Sequence, residues 1–318
     1  MNNDIINMLK QLVEITKGGT SATDKFRIKA FTTAIKAIEN YDKPIKSGTD
    51  ARKIPGVGKG IADRIDEFLE TGKLKEIEAA KGKIGLLTEF TGVYGVGPVT
   101  ANKWIKKGYK NVKDVYDAVK DGELEVNTNQ LIGLKYYYEY IKRIPRAEID
   151  LLNEKLNNII LSQFRNLDLI YAIAGSYRRK MKDSGDIDII ITDKKGIKES
   201  SEILKKIINI LKKNGVITHT LSLGVDKFLG LAKIKKLHRR LDIQYIPRES
   251  WSAGLLYFTG DKQFNVCMRQ IAHEKGFLLN EKGLFSSKSG KMIKTTTERE
   301  IFEKLGMHYR KPENRNMK

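Results

Sequence analysis

The spacing of apolar residues changes once along the chain, and this change limits the folds the chain can adopt. Up to about residue 145, apolar side chains recur at helical spacing, as in Ile61, Ile65, Phe68 and Leu69. After residue 146, helical patterns alternate with short β-branched runs, which predicts an α+β protein with a helical N-terminal half. The predicted strands are Leu169–Ile173, Ile187–Thr192, Val216–Thr218 and Leu241–Ile246.

The net charge of the chain favours negatively charged partners. The 318 residues include 59 Lys and Arg against 39 Asp and Glu, a net charge of +20, which attracts polyanions by counterion release. A generally basic, solvated surface explains the composition equally well. The single Cys267 excludes an internal disulfide and a thiolate metal cluster. Without a long apolar run or a signal peptide, we expect a soluble intracellular protein with no membrane partner, and we leave nucleus and cytoplasm open.

A weak internal repeat lies in the helical half. Gly-Val-Gly occurs at residues 56–58 and again 39 residues later, each time before an amphipathic helix. Glycine takes positive φ at little cost, and a helix start presents N–H groups and a positive dipole end to an anion. One copy is more simply an interhelical turn. Two copies flanked by lysines in a basic chain favour two helix-hairpin-helix modules that bind phosphates without reading sequence.

Two aspartates interrupt the β-branched run at residues 187–192. Asp186 and Asp188 are two residues apart, so their carboxylates project to one side of a strand. Adjacent like charges are unfavourable unless a cation neutralises them, and hard oxygen ligands suit magnesium. Asp242 lies in another predicted strand, and three carboxylates on neighbouring strands could hold two metal ions. The alternative is a strand edge that charges protect from aggregation.

A second motif precedes the aspartates. Gly175 and Ser176 follow the predicted strand that ends near residue 173, and Arg178 and Arg179 come directly after. Glycine permits close backbone approach, serine can donate to a phosphate oxygen, and arginine can bind it bidentately. The chain lacks the Gly-Lys-Ser/Thr pattern of a P-loop, so the sequence predicts a phosphate site of another kind.

Gly-Ser followed by Asp-x-Asp resembles the nucleotidyltransferase superfamily, and the chain resembles, from end to end, the family X DNA polymerases of the beta/lambda type. The resemblance implies two helix-hairpin-helix modules, then an α+β nucleotidyltransferase palm and a small C-terminal subdomain. It implies a lyase-like, 5′-phosphate-binding domain over 1–84, a DNA-binding subdomain over 85–146, a palm over 147–246 and a nucleotide-binding subdomain over 247–318. The matching stretches are Ile54–Gly58, Ile132–Tyr136, Lys142–Arg146, Gly175–Arg179, Ser184–Asp188, His238–Ile243, Leu256–Gly260 and Phe264–Phe277.

The resemblance also assigns roles to matching positions. Asp186 and Asp188 would bridge two Mg²⁺ ions, for which Mn²⁺ can substitute, and Asp242 would bind the catalytic ion, with Arg240 orienting that carboxylate. Both hairpins would hold Na⁺ or K⁺ through backbone carbonyls. The implied nucleotide contacts are Ser176, Arg179, Ser184, Gly185, Tyr257, Phe258, Gly260 and Asn265. The implied DNA contacts are Gly56, Gly58, Lys59, Arg64, Gly95, Gly97, Arg240 and Arg269.

The function implied is template-directed filling of short gaps in base excision repair, by transfer of a nucleotide from a dNTP to a primer 3′-hydroxyl. The expected partners are gapped or nicked DNA with a 5′-phosphate and a dNTP, with a DNA ligase as a further candidate, and a monomer is expected. A template-independent nucleotidyltransferase and a non-catalytic DNA-end-binding protein stay open as alternatives. From spacing alone, Tyr257 and Phe258 are more simply core aromatics, and Arg269 a solvated helix residue.

One departure from the family concerns the lyase reaction. In repair members, a lysine in the helix after the first Gly-Val-Gly forms a Schiff base, and Arg64 occupies the aligned position here. A guanidinium with a pKa above about 12 cannot supply the neutral amine. We therefore expect little or no lyase activity, with Arg64 binding phosphate and Lys59 as the substitute candidate. Lys262 and Val266 also depart from the family, and the short stretch 229–241 favours templated synthesis.

Overall fold

The computed structural model describes residues 2–17, 22–164, 168–193 and 200–317. The chain divides into two compact units, Met1–Leu124 and Glu125–Lys318. This division falls before the main boundary predicted near residue 146, because the helix Thr128–Tyr140 belongs with the second unit, where Glu139 accepts a hydrogen bond from the His238 backbone. The four-part division of the sequence stays a prediction. None of the described helices has the length and apolarity that a membrane span requires.

Every regular element in the described part of the first unit is a helix. Its core contains Leu9, Leu12, Ile38 and Ile65, each at most 1% exposed; Ile61 and Ile65 of the predicted helical pattern are buried, and Leu69 of the same pattern is exposed. Each of the buried side chains contributes about 1.5–3 kcal/mol through burial. The helices are α1 (Asn3–Lys17), α2 (Asp24–Glu39), α3 (Gly48–Arg52), α4 (Lys59–Thr71), α5 (Lys75–Thr91), α6 (Pro98–Lys106) and α7 (Val112–Lys120).

The second unit is built on a five-stranded mixed sheet of order β2-β4-β7-β6-β5. β4 and β7 are parallel and the other neighbours antiparallel. Apolar side chains of α9 and α11 pack on the sheet and form its core. The elements are α8 (Thr128–Tyr140), β1 (Ile144–Pro145), α9 (Arg146–Gln163), β2 (Leu169–Ile173), α10 (Gly175–Arg178), β3 (Asp183–Ser184), β4 (Ile187–Asp193), α11 (Ser200–Lys213), β5 (Ile217–Leu223), β6 (Lys227–Ile234) and β7 (Leu237–Tyr245).

A smaller helical and three-stranded group completes the second unit. Its core contains Phe264, Met268, Leu284 and Phe302, and Phe264 stacks on Phe302 with ring centroids 6.1 Å apart. The elements are α12 (Trp251–Thr259), α13 (Lys262–Glu274), β8 (Phe277–Asn280), β9 (Gly283–Ser286), β10 (Met292–Ile293) and α14 (Glu298–Lys304). The predicted α+β class, with a helical N-terminal region, is confirmed.

Candidate active site

Two of the predicted aspartates lie opposite each other on neighbouring strands. β4 and β7 pair in parallel, and their register sets Asp188 against Asp242. The flanking Ile187 and Ile189 are buried, because side chains alternate faces along a strand. Since Asp186 immediately precedes β4, and residues two apart on a strand share a face, the fold brings all three aspartates to one face of the sheet, on its interior strands β4 and β7.

Burial and mutual repulsion alter the ionisation of these carboxyl groups. Burial, together with the charges of Asp186 and Asp242, raises the pKa of Asp188 to about 7. The pKa of Asp242 is also raised, chiefly by burial, with Lys227 and Arg240 acting in the opposite direction. Carboxylates that resist ionisation in this way are stabilised by a nearby cation, and such groups are typical of functional sites.

Two basic side chains compensate part of this negative charge. Arg240 donates a hydrogen bond to Asp186, and Lys227 Nζ lies 3.9 Å from Asp242 Oδ2. The sequence interpretation had Arg240 orienting Asp242, and the structure pairs it with Asp186 instead. The parallel register explains the difference, because Ile187 lies opposite Leu241 and therefore places the residues before them side by side.

The donor chemistry on this face of the sheet fits a divalent cation. All three side chains offer hard carboxylate oxygens, which Mg²⁺ and Mn²⁺ accept. Within the described ranges, no three Asp, Glu, His or Cys side chains already converge as a ligand set, and Arg240 is bonded to the Asp186 carboxylate. The charges of Asp186 and Asp242 nevertheless raise the pKa of Asp188, and that of Asp186 raises the pKa of Asp242, so the three side chains are close enough to fit a site that a cation would gather.

The predicted phosphate-binding turn follows β2 directly. Gly175 has φ of +54°, and a Cβ at this position would lie 2.5 Å from Asp188 Oδ2, so glycine is required here. The Ser176 hydroxyl donates to Ser184 Oγ at 2.8 Å. Ser184 is 1% exposed, so its hydroxyl contacts Ser176 from the buried side. Its predicted contact with a nucleotide stays a prediction.

A cleft of about 640 Å³ is lined by the turn, by Asp186 and Asp188 but not Asp242, and by residues of α12 and α13. Tyr257 is 37% exposed, so it is not the core aromatic that spacing alone suggested. Asn265 Nδ2 donates to the Tyr257 carbonyl at 2.7 Å, which ties α13 to the end of α12. The predicted residues that line the cleft are Ser176, Arg179, Gly185, Asp186, Asp188, Tyr257, Phe258, Gly260, Asn265 and Arg269.

The two Gly-Val-Gly turns of the first unit share one backbone conformation. Gly56 and Gly95 have φ of 97° and 79°, and in both copies the following valine donates to the carbonyl three residues earlier at 3.1 Å. Gly58 and Gly97 are the N-caps of α4 and α6, and no described atom lies within 4 Å of a Cβ at either position. A phosphate could therefore approach both helix starts closely.

Family models match most of the chain in consecutive segments. Residues 1–74 match a helix-hairpin-helix domain and 88–140 the fingers domain of DNA polymerase lambda. Residues 143–248 match the DNA polymerase beta palm and 254–316 the DNA polymerase beta thumb. The chain belongs to the family X DNA polymerases. Membership of this family implies dependence on a divalent metal ion, which agrees with the donor chemistry above.

Named proteins align with nearly the whole of this chain. It is 30% identical to DNA polymerase lambda of Rattus norvegicus over 329 aligned residues, covering 98% of this chain and 56% of that protein. It is 30% identical to DNA polymerase lambda of Arabidopsis thaliana, covering 100% of this chain and 62% of that protein. A DNA nucleotidylexotransferase of Xenopus laevis is 28% identical, with coverages of 92% and 64%. The chain thus spans less than two thirds of the length of each relative.

This family X chain also has residues at the site that the sequence interpretation missed. Arg143 lines the cleft and is anchored by two hydrogen bonds to the Asp183 carboxylate, of 2.8 and 2.6 Å. It lies in one of the stretches that carry the family resemblance, which is the signal that could have found it. Asn316 contacts Arg179 across 137 residues of sequence, and no local pattern indicates such a pair.

Arg64, at the position of the family's lyase lysine, belongs to a cluster of ion pairs. Arg64 Nε donates to Glu76 Oε2 at 2.7 Å and its Nη1 to the Gly60 carbonyl at 2.7 Å. Arg27 pairs with the same Glu76, and both guanidinium groups lie over the Phe31 ring at 5.8 Å from its centroid. Arg64 is therefore held in place by a carboxylate, and a guanidinium group offers no neutral amine for a Schiff base.

Proposed function

We propose that this chain is a template-directed DNA polymerase that fills short gaps during base excision repair. The observation that carries the proposal is the placement of Asp186, Asp188 and Asp242 on one face of the neighbouring strands β4 and β7, beside a cleft lined by Ser176 and Arg179. Family membership supports the same reaction. The substrates are a dNTP and gapped or nicked DNA with a 5′-phosphate.

Each group of residues has one task in the proposed reaction. Ser176, Arg179 and Gly185 bind the β- and γ-phosphates, and the aromatic pair Tyr257 and Phe258 lines the sugar pocket. Asn265 contacts the incoming base, Arg269 the template strand and Arg240 the DNA near the primer end. Magnesium held by the three aspartates, or manganese in its place, supplies charge neutralisation for the primer 3′-oxygen and the phosphates. The protein contributes placement and electrostatics.

The helix-hairpin-helix turns hold the DNA backbone in this proposal. Gly56, Gly58, Gly95 and Gly97 let phosphates approach the helix starts, and Lys59 supplies positive charge. The backbone carbonyls of each hairpin would hold a Na⁺ or K⁺ ion, which would add positive charge for the phosphate. The protein acts as a monomer inside the cell, and a DNA ligase that seals the filled gap is the partner we propose.

Single-nucleotide extension on a gapped duplex tests the polymerase function. The wild type should add the complementary dNTP in a magnesium-dependent way, and Asp242→Ala should abolish addition while gapped DNA still binds in an anisotropy titration. Asp226→Ala is the matched control, because Asp226 is an exposed aspartate on the turn before β6. Undiminished extension by Asp242→Ala would refute the assignment.

A template-independent transferase is the second candidate, because one relative is named DNA nucleotidylexotransferase. The turn between β6 and β7 contains only Lys235 and Lys236, and the turn between β5 and β6 only residues 224–226. These short turns leave little room for a loop that replaces a template strand. We therefore expect extension of gapped DNA and none of a single-stranded primer, and equal extension of both would favour the transferase.

We also propose that the N-terminal domain binds the 5′-phosphate of a gap with little or no lyase activity. Arg64 clamps the phosphate, and Lys59 is the substitute nucleophile to be tested. Borohydride trapping on DNA with an incised abasic site measures the Schiff base directly. A strong covalent adduct with the wild type would contradict the proposal, and its loss in Lys59→Ala would identify the nucleophile.

A further inference from the structure

The Arg179 guanidinium is anchored at two points by other parts of the second unit. Its Nε donates to Asn316 Oδ1 at 2.7 Å, and its Nη1 donates to the Thr259 carbonyl at 2.6 Å. Gly260 makes this position accessible, since a Cβ there would lie 3.3 Å from Arg179 Nη1. The guanidinium lines the cleft and has five N–H donors, so donors beyond these two are available to a phosphate.

The Asn316 side chain is itself fixed by the segment Lys311–Met317. Its Nδ2 donates to the Glu313 carbonyl at 3.1 Å, so both ends of the amide have partners and its orientation is defined. The next residue is held as well, because the Met317 N–H donates to Asp261 Oδ2 at 2.8 Å. The other oxygen of Asp261 caps α13 through the Phe264 N–H at 2.8 Å.

Buried charge secures the same segment on its other side. Arg315 is fully buried and donates to Glu298 Oε1 at 2.7 Å, and its backbone carbonyl accepts a hydrogen bond from the Asp261 N–H at 3.4 Å. The segment is therefore fixed against Asp261, which lines the cleft. An exposed asparagine on a fixed segment can hold an arginine in one rotamer at little further entropic cost.

We propose that Asn316 is a positioning residue, which holds the Arg179 guanidinium in the orientation that binds the phosphates of the incoming nucleotide. This inference rests on the proposed function, in which Arg179 contacts those phosphates. An arginine side chain has many rotamers, and a binding site that fixes one of them in advance avoids losing that entropy when the ligand binds. Asn316 acts on nucleotide affinity through Arg179 and has no part in the chemical step.

Steady-state kinetics on a one-nucleotide gap test the proposal. Asn316→Ala should raise the KM for the complementary dNTP about three- to ten-fold, as expected for loss of one hydrogen bond of about 0.7 to 1.4 kcal/mol. Its kcat should change less than about two-fold, because the aspartates are untouched. Asn314→Ala is the matched control: it removes the same side chain from the same segment, and the described contacts of Asn314 involve its backbone only.

A double-mutant cycle separates positioning from a merely structural role. Lysine has no Nε donor for Asn316, so Asn316→Ala should add nothing to the KM of an Arg179→Lys protein. Full additivity of the two changes, an equal KM rise in Asn314→Ala, or an unchanged or lowered KM in Asn316→Ala would each overturn the inference. If the wild type itself adds no nucleotide, the proposed function fails. Calorimetric titration of the same variants with magnesium-dATP then tests the affinity difference directly.

Discussion

At the scale of single residues, the three aspartates carry more negative charge than their surroundings neutralise. Arg240 compensates Asp186 and Lys227 approaches Asp242, whereas Asp188 is the most deeply placed and has the raised pKa of about 7. Such a cluster reduces the stability of the folded chain until a cation binds, which is the usual cost of an electrostatically prepared site.

Removing one of these charges should therefore stabilise the protein while it destroys activity. We expect Asp188→Asn to raise the free energy of unfolding by about 1–3 kcal/mol in the presence of EDTA, since it relieves repulsion at nearly constant shape. Urea unfolding at neutral pH measures the difference, with Asp226→Asn as the exposed control. A lower free energy of unfolding for Asp188→Asn would show that the carboxylate is compensated in the metal-free protein.

Arg64, at the position of the family's lyase lysine, allows a second test at the residue scale. Restoring the family's lysine by Arg64→Lys should yield little borohydride-trapped adduct, because the neighbouring Glu76 carboxylate keeps an ammonium protonated. Combining it with Glu76→Gln removes that charge and should increase the adduct by at least about ten-fold, as one pKa unit implies. Equal trapping of the single and double variants would show that Glu76 does not control the amine.

At the scale of secondary-structure elements, the turn after β2 and the register of β4 with β7 make the site. The sequence predicted β2 and β4 because their β-branched runs are long and apolar, and the aspartates stood out against them. It did not predict β6, where Phe228, Leu229 and Leu231 lack β-branching. Nor could it decide strand order or the pairing of Arg179 with Asn316, because both depend on tertiary contacts without a local pattern.

Substitution of two glycines with positive φ distinguishes the effect of backbone strain alone from that of an additional steric clash. Gly175 and Gly215 have φ of +54° and +65°, but only at Gly175 would a Cβ meet another group, Asp188 Oδ2 at 2.5 Å. Gly215→Ala should cost about 1 kcal/mol in stability and leave extension unchanged. Gly175→Ala should pay the same strain and also displace the Asp188 carboxylate, lowering kcat at least about 100-fold. Equal kcat values for the two variants would contradict this account.

A negative charge at the start of α6, in the second hairpin, should affect thermal stability and DNA binding in opposite directions. Val99 is 71% exposed in the first turn of α6. A carboxylate there interacts favourably with the helix dipole but repels a phosphate, so Val99→Glu should keep or slightly raise the Tm. It should weaken DNA binding about ten-fold, independently of sequence. Anisotropy titrations and thermal melts measure both, with Val99→Gln as the uncharged control, and unchanged binding by Val99→Glu would exclude phosphate contact at α6.

At the scale of the whole second unit, one buried ion-pair network connects distant parts of the chain. Glu298 on α14 accepts hydrogen bonds from Arg178, next to the phosphate-binding turn, and from Arg315, beside Asn316. Arg178 also donates to Thr259 Oγ1 at 2.7 Å, at the end of α12. The network thus connects the phosphate-binding turn with the segment Lys311–Met317 through α14, at positions that lie 120 and 17 residues from Glu298 in sequence.

Neutralising the centre of this network should destabilise the unit in a pH-dependent way. Burial acts to raise the pKa of Glu298, but the hydrogen bonds from Arg178 and Arg315 hold it below its ordinary value. Glu298→Gln leaves two arginines without their counter-charge and should cost about 3–5 kcal/mol at neutral pH. Because the folded pKa is lowered, the stabilisation is fully present above the unfolded pKa of about 4.3 and is lost as the pH falls through the folded value.

Urea unfolding between pH 7 and pH 3 should therefore show the wild type converging on the variant at low pH. Glu303→Gln, an exposed change on the same helix, should follow the wild type throughout. A constant difference between wild type and Glu298→Gln across this range would mean that packing, and not the ionised carboxylate, accounts for the loss.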